Sequence, residues 1–514
     1  MSRSAGRRAL AAGILAVWAG LVALHVRREY FKPLATRLAE GSRALAPGSQ
    51  FYVVRMNGRP IGMATSRLDT VPEGFAFEDV LTVDVPALDT FHSAVARTRL
   101  QLGRALQLRN FDFELRSEVG EFSVRGETRG DSVLELEVGA GGGAQHSRIR
   151  MEEGFSLATA LPLRLAAAGQ LRVGGEYSAR LFDPSVLATR DVTVRVTGRD
   201  TLIVADSAEY DTLRAQWHAV AYDTVPAWRI EESYGGIAVE SWLDEDGRVV
   251  RASSPLGFVL EREPFEIARA DWLAGRADRA FAQGYGGIIE GTAIASNVDL
   301  DALEQVNRLA VRLLDVDLVG FDLEGGRQRL HGDTLFIERE APGALAPAYR
   351  LPYRGRGEPM QELEATPLIQ AADPQIARVA RRAGGGTDDP LVAAQRLHEW
   401  VYRFLEKDIA LSIPSAIQVL EAGKGDCNEH TVLYVALARA LGLPARTAVG
   451  LVHVRGRFYY HAWPEVWLGR WVAVDPTLGQ FPADASHLRF LVGGLARQIE
   501  LIRIIGRLRL EVVV

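Results

Sequence analysis

The sequence predicts an α+β protein. It has a large antiparallel β-rich region, a smaller unit with a helix packed on an antiparallel sheet, and an N-terminal transmembrane helix. Three observations carry this. Residues 9–26 form an apolar run interrupted only near its end. Residues 50–285 are a series of short alternating segments separated by turn residues. Residues 371–382, 391–406 and 432–441 read as helices, and strand-like segments follow.

The N-terminal run, Ala9 to Val26, is interrupted only by His25, and the basic segment 1–8 precedes it. Its length just spans a bilayer and is long for the core of a secretory signal. Leu24-His25-Val26-Arg27-Arg28 is a poor cleavage site, so an uncleaved anchor is expected; a cleaved signal peptide is the competing reading. Arg27, Arg28 and Lys32 blunt the charge asymmetry that orients such helices. The expected location is an inner membrane of a bacterial envelope, single-pass, with the globular part in the periplasm or outside the cell. Residues 27–49 then read as a juxtamembrane linker with a short helix.

The net charge of −6 gives no reason to expect a nucleic-acid partner. One cysteine in 514 residues excludes an internal disulfide. Neither a metal nor a cofactor is expected.

Within 50–285, Asn57-Gly58 is a strong hairpin signal. Strand candidates continue to Val249–Ser253, broken by a Gly-rich turn at Gly139–Gly143 and a helical piece near Leu157–Ala168. A large sheet curved around a helix is expected. It reads either as a spacer or as a binder for an envelope protein or lipid-like ligand. Residues 286–345 read as a small α/β or β extension. In it, Asn297–Leu314 is helix-like and Leu318–Leu323 pairs with Thr334–Glu338. Residues 346–370 read as a linker. Residues 371–514 form the last unit, ending in a strand over Arg507–Val512.

That unit holds Gly425-Asp426-Cys427-Asn428-Glu429-His430. Asp426 suits an N-cap, and Glu429 has capping-box spacing. An apolar helix follows from Val432 to Leu441, stopped by Gly442 and Pro444. Cys427 therefore falls in the first turn, where unpaired N–H groups and the helix dipole favour a thiolate. A buried structural thiol is the alternative. Downstream, Phe458–Trp463 reads as a strand carrying His461. A two-residue turn at Gly469-Arg470 would set Asp475 opposite Pro464, on the wrong face for His461. A bend or bulge at Pro464 is then needed. A thiol, a histidine and an aspartate in this order are the parts of a cysteine acyl-transfer site.

From about Pro390 to Arg489 the chain resembles the transglutaminase-like superfamily, a rearranged relative of the papain fold. The matching pieces are Gly425-Asp426-Cys427, Ala440-Leu441-Gly442-Leu443-Pro444-Ala445-Arg446, His461-Ala462-Trp463-Pro464-Glu465-Val466 and Val474-Asp475-Pro476-Thr477. The resemblance covers about a fifth of the chain. It implies that Cys427 is the nucleophile, His461 the base and then acid, and Asp475 the group that orients His461. It also implies a thioester intermediate on a protein or peptide substrate. Water as acceptor makes a peptidase or amidase, and an amine makes a cross-linking transferase; both stay open. A non-catalytic binding or assembly module is the alternative class.

Around the triad, His430, Asp426 and Trp463 are expected as supporting residues. Gln418 reads as a helix-surface residue or, as in papain-like enzymes, an oxyanion donor. Trp463, Trp467 and Trp471 read as core or groove wall, and His453 as half-exposed. Cys427, His430, His461 and Asp475 are the right types to bind zinc, but no CxxC or HExxH supports it.

Overall fold

The computed structural model describes residues 33–513, apart from 88–89, 131, 151–154, 235–236, 256, 278–292, 299, 301–305, 346 and 410–411. The expected anchor at 9–26 lies outside them. Among the described residues no helix is long and apolar enough to cross a membrane.

Residues 48–262 form one sheet of 15 strands, antiparallel except where Ser156–Leu157 runs parallel to Glu176–Asp183. Asn57 and Gly58 both take left-handed backbone, φ 49° and 81°, as a tight hairpin turn requires. The first strand, Gly48–Met56, pairs with the last, Phe258–Arg262. The chain therefore runs out along one arm of the sheet and returns along the other. The arms curl together, so that Phe111 and Phe182 meet with ring centroids 5.8 Å apart. Alternation places the apolar residues inside: Phe122 and Val124 are buried while Glu121 and Arg125 are exposed. The helix Leu161–Ala167 buries Leu161, Leu163 and Leu165 against the sheet. The helix Leu34–Gly41, expected within a linker, buries Leu38 in the same core.

The extension corrects two expectations. Arg308–Leu314 is a strand, not a helix, because Leu309, Val311 and Leu313 are buried at a period of two. Leu318–Leu323 forms no strand; Gln328–His331 is what pairs with Thr334–Glu338. The C-terminal strand, Arg509–Val512, pairs with Arg308–Leu314 and completes this four-stranded sheet.

The last unit has four principal helices: α1 (Pro374–Gly384), α2 (Pro390–Phe404), α3 (Ala416–Ala422) and α4 (Cys427–Ala440). Asp373 and Asp389 cap α1 and α2 through side-chain bonds to backbone amides. Helix α4 is central, with Leu433 to Ala438 fully buried. It lies on a sheet of β1 (Ala445–Val454), β2 (Arg457–Trp467), β3 (Trp471–Ala473) and β4 (His487–Val492), with Ile294–Ala295 as a fifth, short strand beside β2. Strand β1 lies between β2 and β4, and β3 pairs with β2. Buried Glu465 on β2 sits between Arg446 at 2.7 Å and Arg489 at 3.0 Å. Arg489 also donates to the carbonyls of Asp322 and Glu324, which ties the extension to the sheet.

Candidate active site

Cys427 opens α4. Asp426 accepts from the Asn428 amide at 2.9 Å, and Glu429 accepts from the Asp426 amide at 3.0 Å. The expected capping box is therefore formed. Ser412 donates to the other Glu429 oxygen at 2.7 Å. The backbone amide of Ala462 on β2 is near enough to the Cys427 sulfur to favour its ionised form. The sulfur thus lies beside the residue that follows His461.

His461 and Asp475 meet because of a turn length. Trp467 pairs with Trp471, so Leu468, Gly469 and Arg470 make a three-residue turn. The ladder continues to the Val474 amide, which donates to the Pro464 carbonyl at 2.9 Å. Asp475 then lies opposite Trp463, on the His461 side. The two-residue turn and the bulge at Pro464 are both corrected: one residue of register reverses every face. His461 Nε2–H donates to Asp475 Oδ2 at 2.8 Å.

Asp475 is fixed from all sides. Its Oδ1 accepts from the Thr477 and Leu478 amides at 2.7 and 3.0 Å. Its carbonyl accepts from His398 Nε2 on α2 at 3.0 Å. Its Oδ2 also accepts from His487 Nε2 at 3.0 Å. Burial alone would raise this carboxyl. The charges and bonds of His461 and His487 outweigh burial and hold it well below the usual carboxylate range.

Residues 377–476 match the family model of the transglutaminase-like superfamily. The chain carries a transglutaminase-like domain. Over 94 residues it is 32% identical to an uncharacterized protein of Haemophilus influenzae. That stretch is 17% of this chain and 25% of the relative, so the chain spans about a quarter of the relative's length. Two solved structures are also similar. One is a proposed cysteine protease from Cytophaga hutchinsonii, with 14% identity over 40% of this chain and 81% of that one, TM-score 0.28. The other is a β-barrel-like protein of a domain of unknown function from Brucella abortus, with 13% identity over 43% of this chain and 95% of that one, TM-score 0.31. Scores this low do not establish a shared fold.

Inside the transglutaminase-like domain the thiol departs from expectation. Burial pushes the Cys427 thiol up, and the carboxylates of Asp426, Glu429 and Asp475 push the same way; only the Ala462 amide opposes them. The sulfur rests as a thiol, not as the thiolate expected from its place at a helix start. Burial is the largest cause, and the two carboxylates of the cap add to it.

The supporting residues are placed as follows. His430 is buried and donates from Nδ1 to the Asp426 carbonyl at 2.7 Å, and burial pushes its pKa down. It braces the start of the helix. Trp463 is buried, stacked on His461 with centroids 6.0 Å apart and set edge-on to His487 at 5.2 Å. Gln418 is neither an oxyanion donor nor a free surface residue: its Nε2 donates to the Glu121 carbonyl of the large sheet. Trp467 and Trp471 pack on each other at 5.4 Å, and Arg446 lies over Trp471. His453 is buried against Phe458, not half-exposed. Of the four residues of zinc-binding type, His430 is turned to a backbone carbonyl. The cluster of metal-ligand type among the described residues is His461, Asp475 and His487, and these are already hydrogen-bonded to one another.

Three site residues escaped the sequence reading: His398, Asp484 and His487. The usable signal for His487 was a histidine beginning the apolar segment Leu488 to Val492, three residues after an aspartate. His398 carried none beyond its place beside the buried stripe of α2.

Proposed function

We propose that the protein is a thiol-dependent acyl-transfer enzyme that cleaves or transfers an amide acyl group of a protein or peptide. One observation carries this: His461 is bonded through Nε2 to buried Asp475, while the sulfur of Cys427 lies beside the amide next to His461. Bonding at Nε2 leaves Nδ1 to take the thiol proton. As the S–H proton moves to His461, sulfur attacks the amide carbon and the carbonyl oxygen gains the charge. The C–N bond then breaks, and His461 returns the proton to the leaving amine. A thioester remains. Water or an amine, deprotonated by His461, attacks it; the C–S bond breaks and the thiol is regenerated. Asp475 holds the imidazole orientation throughout and stabilises its cation.

Residues 9–26 would anchor this unit in an inner membrane, with envelope proteins or peptides as substrates. The apolar run of the sequence supports that part. The test is ammonia release from a glutamine-containing peptide, with and without a primary amine. Amine incorporation supports transfer, and release without incorporation supports hydrolysis. No turnover dependent on Cys427 with glutamine or other peptide amides would overturn the reading. A non-catalytic binding module is the second reading, favoured by the three carboxylates that surround the half-buried Cys427 and push its thiol up.

A further inference from the structure

His487 is not needed for a cysteine–histidine–aspartate triad, yet it is fully buried and joined to it. Its Nε2 lies 3.0 Å from Asp475 Oδ2, the same oxygen that His461 uses. Its Nδ1 lies 3.2 Å from Asp484 Oδ1. Both partners are carboxylates and can only accept, so both ring nitrogens carry protons. The ring is therefore an imidazolium between two aspartates.

Its surroundings keep it there. Asp484 Oδ1 also accepts from the Ser486 amide and hydroxyl, at 2.9 and 2.6 Å. Gln480 Nε2 reaches the other Asp484 oxygen at 3.4 Å. Arg327 donates to the carbonyls of Ala483 and Asp484 at 2.8 and 2.7 Å, with Glu340 beside it at 3.8 Å. Trp463 closes one side of the ring, and the His461 ring lies 5.9 Å away, centroid to centroid. His398 holds the Asp475 backbone from the far side.

We propose that His487, clamped between Asp475 and Asp484, is a positioning residue of the acyl-transfer site. It fixes the Asp475 oxygen that orients His461 and shares its negative charge, extending the triad into a chain of five groups. This rests on the proposed function. A carboxylate that answers to two cations attracts each less strongly than one that answers to a single cation. His487 thereby moderates the pull of Asp475 on the proton of His461 and on the thiol.

The test uses His487→Phe, His487→Gln and Asp484→Asn in the full chain, with folding checked by circular dichroism. The first readout is the pH profile of kcat/KM. The expected result for His487→Phe is an acid limb moved to higher pH. His487→Gln, which keeps an N–H donor without charge, recovers rate but not the position of the limb. Asp484→Asn leaves His487 to Asp475 alone and moves the limb the opposite way, to lower pH, and serves if His487→Phe does not fold. The second readout needs no turnover: alkylation of Cys427 by iodoacetamide slows about threefold or more at a fixed pH, the equivalent of half a pH unit. Rates lowered equally at every pH, with alkylation unchanged, would overturn the proposal. So would one equivalent of zinc in the purified protein that His487→Phe abolishes. Absence of wild-type turnover with the alkylation shift intact would overturn the proposed function alone.

Discussion

Val474 donates its amide to the Pro464 carbonyl over 2.9 Å, and this bond carries the β2–β3 register one step beyond Ala473. The side on which Asp475 emerges depends on it. Deleting Gly469, which sits at φ 83° in the turn, shortens the connection to two residues. The expected result is a folded protein with activity reduced by about 10³-fold or more, because the slip takes the carboxylate away from His461. Activity and circular dichroism on the same sample check this.

Replacing the nucleophile or the base should be equally damaging. Cys427→Ala and His461→Ala are each expected to lower turnover by roughly 10⁴-fold or more, and the double variant by little further, since the two act as one unit. Additive losses in single-turnover assays would contradict this.

The resting thiol should be slow to react near neutral pH. Asp426→Asn removes one carboxylate beside the sulfur and keeps a competent helix cap. Alkylation of Cys427 is expected to speed up, with its pH midpoint moving down. Unchanged kinetics would mean that burial alone sets the thiol.

Acid stability follows from Asp484. Burial opposes its ionisation, but the bonds and charge of His487 win and bring it to about 2. Its folded value lies below its unfolded value of about 3.9. The stabilisation is therefore present above about pH 4 and is lost as pH falls towards 2. It amounts to about 2 kcal/mol. Asp484→Asn is expected to flatten denaturant midpoints measured across that window.

Local chemistry made part of the site readable. Asp426 and Glu429 announce the start of α4, Gly442 and Pro444 its end, and Asn57-Gly58 its hairpin, because each signal acts within a few residues. Register was less readable. Whether Leu468 belongs to the strand or to the turn is decided by Trp467 pairing with Trp471. Arg308–Leu314 is a related case: one of its two neighbours in the sheet, Arg509–Val512, lies about 200 positions away. His487 reaches Asp475 only once β1 has brought β4 into the same sheet as β2.

The turn of the large sheet at residues 140–141 accepts hydrogen bonds from Gln370 and Ser415, and Glu121 accepts one from Gln418. Ser415 and Gln418 lie just upstream of the helix that begins with Cys427, and Gln370 lies just before α1. A fragment starting near residue 350 would leave them facing water, and would strip its own final strand of Arg308–Leu314. The two halves of this protein are therefore not interchangeable cassettes, and transplanting the sulfur-bearing half means carrying the sheet along or rebuilding the surfaces it covers.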